Sequence, residues 1–410
     1  MGAGEQAAQW RAGRGTLGVC GAAHLLHDGF GALLYLVLPL WQAEFGLSLT
    51  QVGLLKSAHS AVQAGLQTPV GLLAERLSER KLLAAGTAVT ALGFLLLGWA
   101  GGFAGLALFL VIAGAGSSVQ HPLGSSLVSR AYERGARRAA IGIYNFSGDL
   151  GKLAVPALAA VVIAGLGDWR WVTGGAAAIG LLAAAATVVA FGMFVGAPPA
   201  RRPAVAPRGA RGARFGGWGI RDRRGFQTLA AIGVIDNVTN TAFLTFLPFL
   251  LIAKGAAVGT VGLALTLIFA GGATGKFLCG FLAERMGIVR TVMLTELCTG
   301  AGILLILELP LTTALVFMPA LGVALSGTSS VLLGTVAEFV DSERRARAFG
   351  LFYSLLFAAS ALSPWLYGVV SDAVGVPVAL RVVGVVALTT VPLSLLLRPA
   401  LRRVALGAAD

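Results

Sequence analysis

The chain has 410 residues, of which 57% are hydrophobic and only 12% charged, against about 25% charged in a water-soluble protein. A conventional solvent-facing surface is therefore excluded. The net charge is +13, which on a soluble chain would point to nucleic acid, and the three cysteines (Cys20, Cys279, Cys298) are too few and scattered for a disulfide framework or a metal cluster.

A helix needs about 20 apolar residues to cross the hydrocarbon core of a bilayer. Twelve runs reach that length, near 17–40, 50–73, 82–100, 103–129, 139–165, 171–195, 225–252, 257–283, 289–308, 311–336, 347–371 and 376–398. The first is too long for a cleavable signal peptide and lacks a small-residue cleavage site. With the N-terminus inside, one set of segments collects Arg11 and Arg14, Arg76, Arg80 and Lys81, and Arg130, Arg134, Arg137 and Arg138. The same set takes the arginines from Arg201 to Arg224, then Arg285 and Arg290, Arg344, Arg345 and Arg347, and Arg398, Arg402 and Arg403. The opposite loops hold Arg170 and Lys254. Basic loops mark the cytoplasmic side, so both termini are expected there, and the positive excess reads as topology with no nucleic-acid partner. High Ala, Gly and Arg with only five lysines suggests a GC-rich bacterial source, hence the inner membrane.

A shift of 209 residues carries Gly71, Glu75 and Arg76 onto Gly280, Glu284 and Arg285, and Pro39, Gly46 and Gly53 onto Pro248, Gly255 and Gly262. A shift of 208 carries Arg137, Gly142 and Pro156 onto Arg345, Gly350 and Pro364. The chain thus reads as two parallel six-helix halves, 1–195 and 225–410, joined by a solvated Arg/Pro/Gly/Ala-rich linker at 196–224. Six plus six helices with G-x-x-x-[D/E]-R after the second helix of each half resembles the major facilitator superfamily. The resemblance implies an all-α membrane protein of twelve transmembrane helices in two pseudo-symmetric bundles, a substrate cavity between them, and alternating access by rocking.

Around the repeated signature, Glu75 and Glu284 lie beside Arg76, Arg80, Lys81 and Arg285, with Gly71 and Gly280 one turn earlier. Ion pairs there would hold the cytoplasmic side shut and set the balance of two states; the alternative is that the cations only anchor the loop. The fifth span, with Gly142, Gly151 and Pro156, resembles the glycine-proline pattern of the superfamily's proton-coupled antiporters, with Val155 in place of a usual glycine. It implies a closely packed helix that can bend at the interface between halves. AHLLHD at 23–28 and GAGSSVQHP at 114–122 resemble the bacterial fosmidomycin resistance branch, although Leu123 stands where that branch places an acid.

Ionisable groups inside a membrane span usually face a cavity or a partner. The first span carries His24, His27 and Asp28 at helical spacing, suited either to proton exchange or to cross-linking neighbouring helices. The fifth carries Asp149 and Lys152, expected to pair with each other, with Tyr144 and Asn145 on the same wall. His121 precedes Pro122 in the fourth. Asp236 and Asn237 lie in the seventh, where the repeat puts Asp236 on His27, suggesting facing cavity walls. Lys56 is expected to snorkel to the outer interface, Lys276 is a weaker candidate, and Glu296 and Arg381 are expected in structural pairs at the periphery. No Gly-rich run has the G-x-x-x-x-G-K-[S/T] arrangement that cradles phosphates, so neither ATP drive nor a cofactor is expected.

The reading is a monomeric secondary transporter, not an enzyme, that exchanges protons for an exported small organic compound. Asp28, Asp149, His121 and Asp236 are the expected proton-coupling groups, and His24, His27, Tyr144, Asn145, Lys152 and Asn237 the substrate-binding ones. The alternative is proton-coupled uptake of a carboxylate or phosphate, drawn by Lys56, Lys152, Lys276 and the histidines.

Overall fold

The computed structural model describes residues 3–132, 135–194, 219–341 and 345–407. Most of the expected linker, with Arg201–Arg214, lies outside the described residues, as do Arg134 and Arg344. The N-terminal half contains α1 (Ala3–Phe45), α2 (Leu49–Arg76), α3 (Glu79–Leu97), α4 (Phe103–Ser117), α5 (Gln120–Ala131), α6 (Gly135–Leu166) and α7 (Arg170–Phe194). The C-terminal half contains α8 (Arg223–Ala253), α9 (Val258–Met286), α10 (Ile288–Glu308), α11 (Leu311–Val336), α12 (Arg345–Val374), α13 (Val376–Leu388), α14 (Thr390–Leu395) and α15 (Leu397–Gly407). The fourth span is α4 plus α5, broken just ahead of Pro122, and the twelfth is α13 to α15.

Eleven helical stretches among the described residues are long and apolar enough to cross a membrane. The remaining span, α2, has the length but not the apolarity, because Gln51, Lys56, His59, Gln63 and Gln67 interrupt it. Its polar residues are tolerated because α2 packs against α4 and, across the halves, against α12. Local signals set the starts: Ser48 and Gln51 form a reciprocal capping box on α2, and the Asp222 carboxylate accepts the Gly225 N–H on α8. Gly46 and Gly255, at repeat-equivalent positions, both adopt positive φ (62° and 89°) to reverse the chain between the first two spans of each half.

The apolar core is divided unevenly. At the end of the molecule away from the termini, one cluster joins both halves and includes Leu38, Trp41, Phe94, Ala160, Phe246 and Met318. At the end that carries the termini there are two separate clusters, one around Cys20, Leu127, Tyr132 and Phe191, the other around Phe226, Phe339, Phe352 and Leu397. The halves are therefore sealed together at the far end and parted at the terminal end.

Small residues make the seal. A Cβ on Gly53 of α2 would overlap the Pro364 carbonyl of α12, and one on Gly262 of α9 would overlap Ala160 of α6. These two crossings are related by the repeat. The amides of Leu49 and Thr50 donate to the Asp372 carboxylate of α12, both at 2.8 Å, so one half caps a helix of the other. Asp372→Ala is expected to cost the sealed state about 1 kcal/mol, as for a lost N-cap, a roughly fivefold shift towards separation of the two ends. Spin labels on the far ends of α2 and α12 should report it as a longer distance.

The span-five glycines act differently from the expectation. A Cβ on Gly151 would overlap the Leu25 carbonyl of α1, whereas Gly142 faces open space. The close packing thus lies within the N-terminal half, because α6 is seated along α1 over most of its length.

Candidate functional site

The buried charges of the N-terminal half converge where α1, α5 and α6 meet and continue into α9. Asp28 is the hub. Its Oδ2 lies 2.9 Å from Lys152 Nζ and 3.5 Å from His24 Nε2, and its Oδ1 lies 3.8 Å from His121 Nε2. Lys152 also reaches Asp149 at 3.5 Å, and Asp149 is held across the halves by Lys276 of α9, at 2.6 and 2.9 Å. The result is an alternating chain, Asp28–Lys152–Asp149–Lys276, with a histidine pair at one end. The expected mutual pair of Asp149 and Lys152 is only its middle link. Each partner has a nearer ion, because α1 and α9 bring one to either side. The carboxylates are mostly buried (9% and 12% exposed) while Lys152 and Lys276 are about one-third open. The chain thus borders the parting between the halves.

His24 is oriented by its surroundings. Its Nδ1 lies 2.8 Å from the Tyr144 carbonyl, which only accepts, so Nδ1 carries the proton and Nε2 is turned towards Asp28. The Tyr144 ring stacks on His24 at 4.3 Å, and its hydroxyl is occupied by Gln120. Tyr144 therefore positions His24 from behind rather than lining the cavity. Gly148 makes room for the pair: a Cβ there would sit 2.7 Å from His24 Nε2 and 2.8 Å from Asp28 Oδ2. Asn145 is exposed one turn before Asp149, and Phe146 meets Phe277 of α9 at 6.4 Å.

His27 does not join this group. Adjacent residues on a helix point about 100° apart, and His27 turns into its own half, 3.0 Å from the Thr87 hydroxyl and 3.3 Å from that of Ser117. Asp236, its repeat equivalent, is likewise turned into the C-terminal half, beside Glu296. The suggestion that these two face each other across the cavity is thus corrected. The facing pair is one residue on. Asn237 Oδ1 accepts from the Ser360 hydroxyl at 2.6 Å, and the repeat shifts place Asn237 on Asp28 and Ser360 on Lys152. The same geometric slot is charged in one half and neutral in the other.

His24, Asp28 and His121 present ligand atoms within 4.8 Å of one another, a spacing a metal ion could use. The Lys152 ammonium already neutralises Asp28 from 2.9 Å, so this is an ion-pair network and a poor metal site. Lys56 is not at an interface; it is buried over the Tyr35 ring at 4.9 Å and donates to Ser60. Arg381 pairs with Glu308 at 2.7 Å, as expected of a peripheral residue.

The repeated signature lies at the terminal end. Glu75, Arg76, Lys81, Gly280, Glu284 and Arg285 are exposed, Gly71 and Arg80 half-buried. Arg80 lies over Phe191 and Arg285 over Phe281. Ion pairs at this end include Glu79 with Arg130 in the N-terminal half, and Arg221 with Asp341 and Asp222 with Arg403 in the C-terminal half. Glu79 and Asp372 were missed because each is a common helix-end acid, and only the fold supplies its partner.

Two duplicated helical bundles, sealed at one end, parted at the other and lined with charge between, have the architecture of a membrane transporter. The family model described as Major Facilitator Superfamily matches residues 20–255 and 229–409. The chain belongs to that superfamily and is a membrane transporter, not an enzyme. It is 35% identical over 159 residues to the fosmidomycin resistance protein of Escherichia coli (strain K12), a match spanning 38% of this chain and 39% of that one. It is 25% identical over 398 residues, 93% of this chain and 90% of the relative, to a probable 4-methylmuconolactone transporter of Cupriavidus pinatubonensis (strain JMP 134 / LMG 1197). Among solved structures it resembles a bacterial homolog of the human lysosomal transporter Spinster, in an inward-facing and unoccupied conformation. The TM-score is 0.70 at 18% identity, over 96% of both chains, a likeness of fold.

Proposed function

We propose that the protein exports a small organic compound across a bacterial inner membrane in exchange for protons, with both termini cytoplasmic and halves 1–195 and 225–410 rocking about the cavity. The observation that carries this reading is the Asp28–Lys152–Asp149–Lys276 chain, because it ties titratable carboxylates to a contact between halves that must change when the cavity reverses. The structure is open on the terminal side, which in this orientation is the cytoplasm. Substrate entering there and engaging Asp28 or Asp149 requires an ionised carboxylate. Substrate and proton then exclude one another, the condition for antiport. His24, Asn145, Lys152 and Asn237 supply polar contacts, His121 a second titrating group beside Asp28, and Asp236 a third acid. When the terminal side closes, Glu75 and Glu284 pair with the cations around Arg76, Arg80, Lys81 and Arg285. The similarity to a fosmidomycin resistance protein supports export.

A second reading, uptake of an anionic metabolite, is favoured by Lys152 and Lys276. An anion held by these ammoniums leaves the carboxylates to be neutralised by protons, so anion and proton travel together. The similarity to a probable 4-methylmuconolactone transporter supports it. Everted vesicles separate the two. With fosmidomycin as first probe, export predicts substrate-driven collapse of an acid-inside gradient, abolished in Asp28→Asn and Asp149→Asn. Normal coupling in both variants would remove the residue assignment. Uptake of the lactone by intact cells, lost in Lys152→Ala, would favour the second reading.

A further inference from the structure

The charge chain leaves one buried acidic group unused. Asp236 of α8 and Glu296 of α10 meet inside the C-terminal half, 5% and 0% exposed. A shift of 209 residues places Asp236 on His27 and Glu296 on Thr87, which are hydrogen-bonded to each other at 3.0 Å in the N-terminal half. The duplication has therefore kept a polar contact between first and third spans and made it doubly acidic in one copy.

Two carboxyl groups in contact cannot hydrogen-bond unless one of them carries a proton. The hydroxyls around Glu296 offer it few donors. Thr295 lies 3.0 Å from the Thr291 carbonyl, which only accepts, so its proton goes there. Thr328 in turn donates to Thr295 Oγ1 at 2.7 Å, so the Thr328 oxygen that also meets the Glu296 carboxyl has only lone pairs left. Thr390 has one proton and two acceptors in reach, the Ala387 carbonyl at 2.5 Å and Glu296 Oε2 at 3.0 Å. It donates to Glu296 Oε2 as well as to the Ala387 carbonyl, so this single proton is shared between them. An ionised Glu296 would thus have one shared hydroxyl donor for two oxygens and a second carboxyl against it, and that carboxyl contact becomes a hydrogen bond only when one of the pair carries a proton. Its Oε1 has no protein donor, and neither do the hydroxyls of Thr239 and Thr299, one turn from Asp236 and Glu296 and buried beyond nine-tenths.

Among the described residues no cation offsets the pair. On the helices packed around it, Arg381 is bound to Glu308 on the rim, Lys254 donates to the Leu307 and Leu309 carbonyls, and Lys276 holds Asp149. Arg223, Arg224, Arg285, Arg290 and Arg398 belong to the terminal end.

We infer that Asp236 and Glu296 form a proton-binding site of the C-terminal half, separate from the cavity charge chain and loaded with at least one proton in the conformation open at the terminal end. The inference deepens the coupling reading, on which it rests for a role in transport, and adds Glu296 to it. The double variant Asp236→Asn/Glu296→Gln keeps the shape of the protonated pair and should fold. In reconstituted protein at neutral pH, infrared spectroscopy should show a protonated-carboxyl stretch that shifts in D2O, retained in Asp149→Asn and lost in the double variant. Raising the pH should lower the thermal midpoint of the wild type, as the buried pair ionises without a partner, and leave that of the double variant flatter. No protonated-carboxyl band in the wild type, or a band unchanged in the double variant, overturns the site. Neither outcome depends on vesicle transport, so failure of the antiport reading would be seen separately.

Discussion

Lys276→Ala is expected to cause the largest single loss of transport. The substitution removes the cation that ties Asp149 of α6 to the opposite half, and leaves Asp149 sharing Lys152 with Asp28. A hydrogen-bonded pair of charges contributes about 1.5–3 kcal/mol. Lys276 is more than one-third exposed, so solvent screening places it at the lower end, about 1.5 kcal/mol. That is roughly tenfold in the ratio of the two access states. The rate loss should exceed this, because the binding site also loses a positive charge. Initial rates in everted vesicles measure it. Lys276→Arg should recover part of the rate, and the exchanged pair Asp149→Lys/Lys276→Asp more than either single change. A Lys276→Ala rate equal to the wild type would show that the link between halves does not govern access.

Gly53→Val and Gly262→Val should act on the seal instead. At both positions the new side chain meets the other half at once, Pro364 backbone in one case and Ala160 in the other, and no rotamer relieves a clash at Cβ. Overpacking of this kind costs about 1–3 kcal/mol. It falls on the sealed state alone, because each half keeps its own core at the terminal end. The expected result is a protein that folds but populates the opposite opening about 5- to 150-fold more. Spin-label distances across both ends should lengthen at the far end and shorten at the terminal end. Gly65→Val, where a Cβ meets nothing within 4 Å, is the control. A wild-type distance distribution in Gly53→Val would mean that the α2–α12 crossing is not a pivot.

Much of this was legible in the chain because a bilayer imposes simple rules. Length and apolarity mark eleven of the spans, and α2 meets the length alone because of its glutamines, Lys56 and His59. The repeat was visible because glycines and prolines report backbone geometry that duplication preserves. Gly46 and Gly255 share a turn, and Gly53 and Gly262 share a helix crossing. Asp28, Asp149, Lys152 and His121 stood out because ionisable groups are rare in apolar spans, and all four converge.

Partners were not legible. A helical repeat fixes which residues share a face but not which helix that face meets. Asp149 and Lys152 looked like a closed pair until α9 brought Lys276 to one side and α1 brought Asp28 to the other. One residue of helical rotation put Asp28 in the cavity and His27 behind it, a difference of 100° that no composition records. Glu296 read as a peripheral residue, yet the packing of α8, α10, α11 and α14 encloses it with Asp236. Spans and the rarity of buried charge are readable from the chain because each follows from the solvation of individual residues in a bilayer, and the duplication because glycines and prolines recur at a fixed shift. Which charge neutralises which, and which end stands open, depends on distances between helices far apart in the chain, and those come from packing alone.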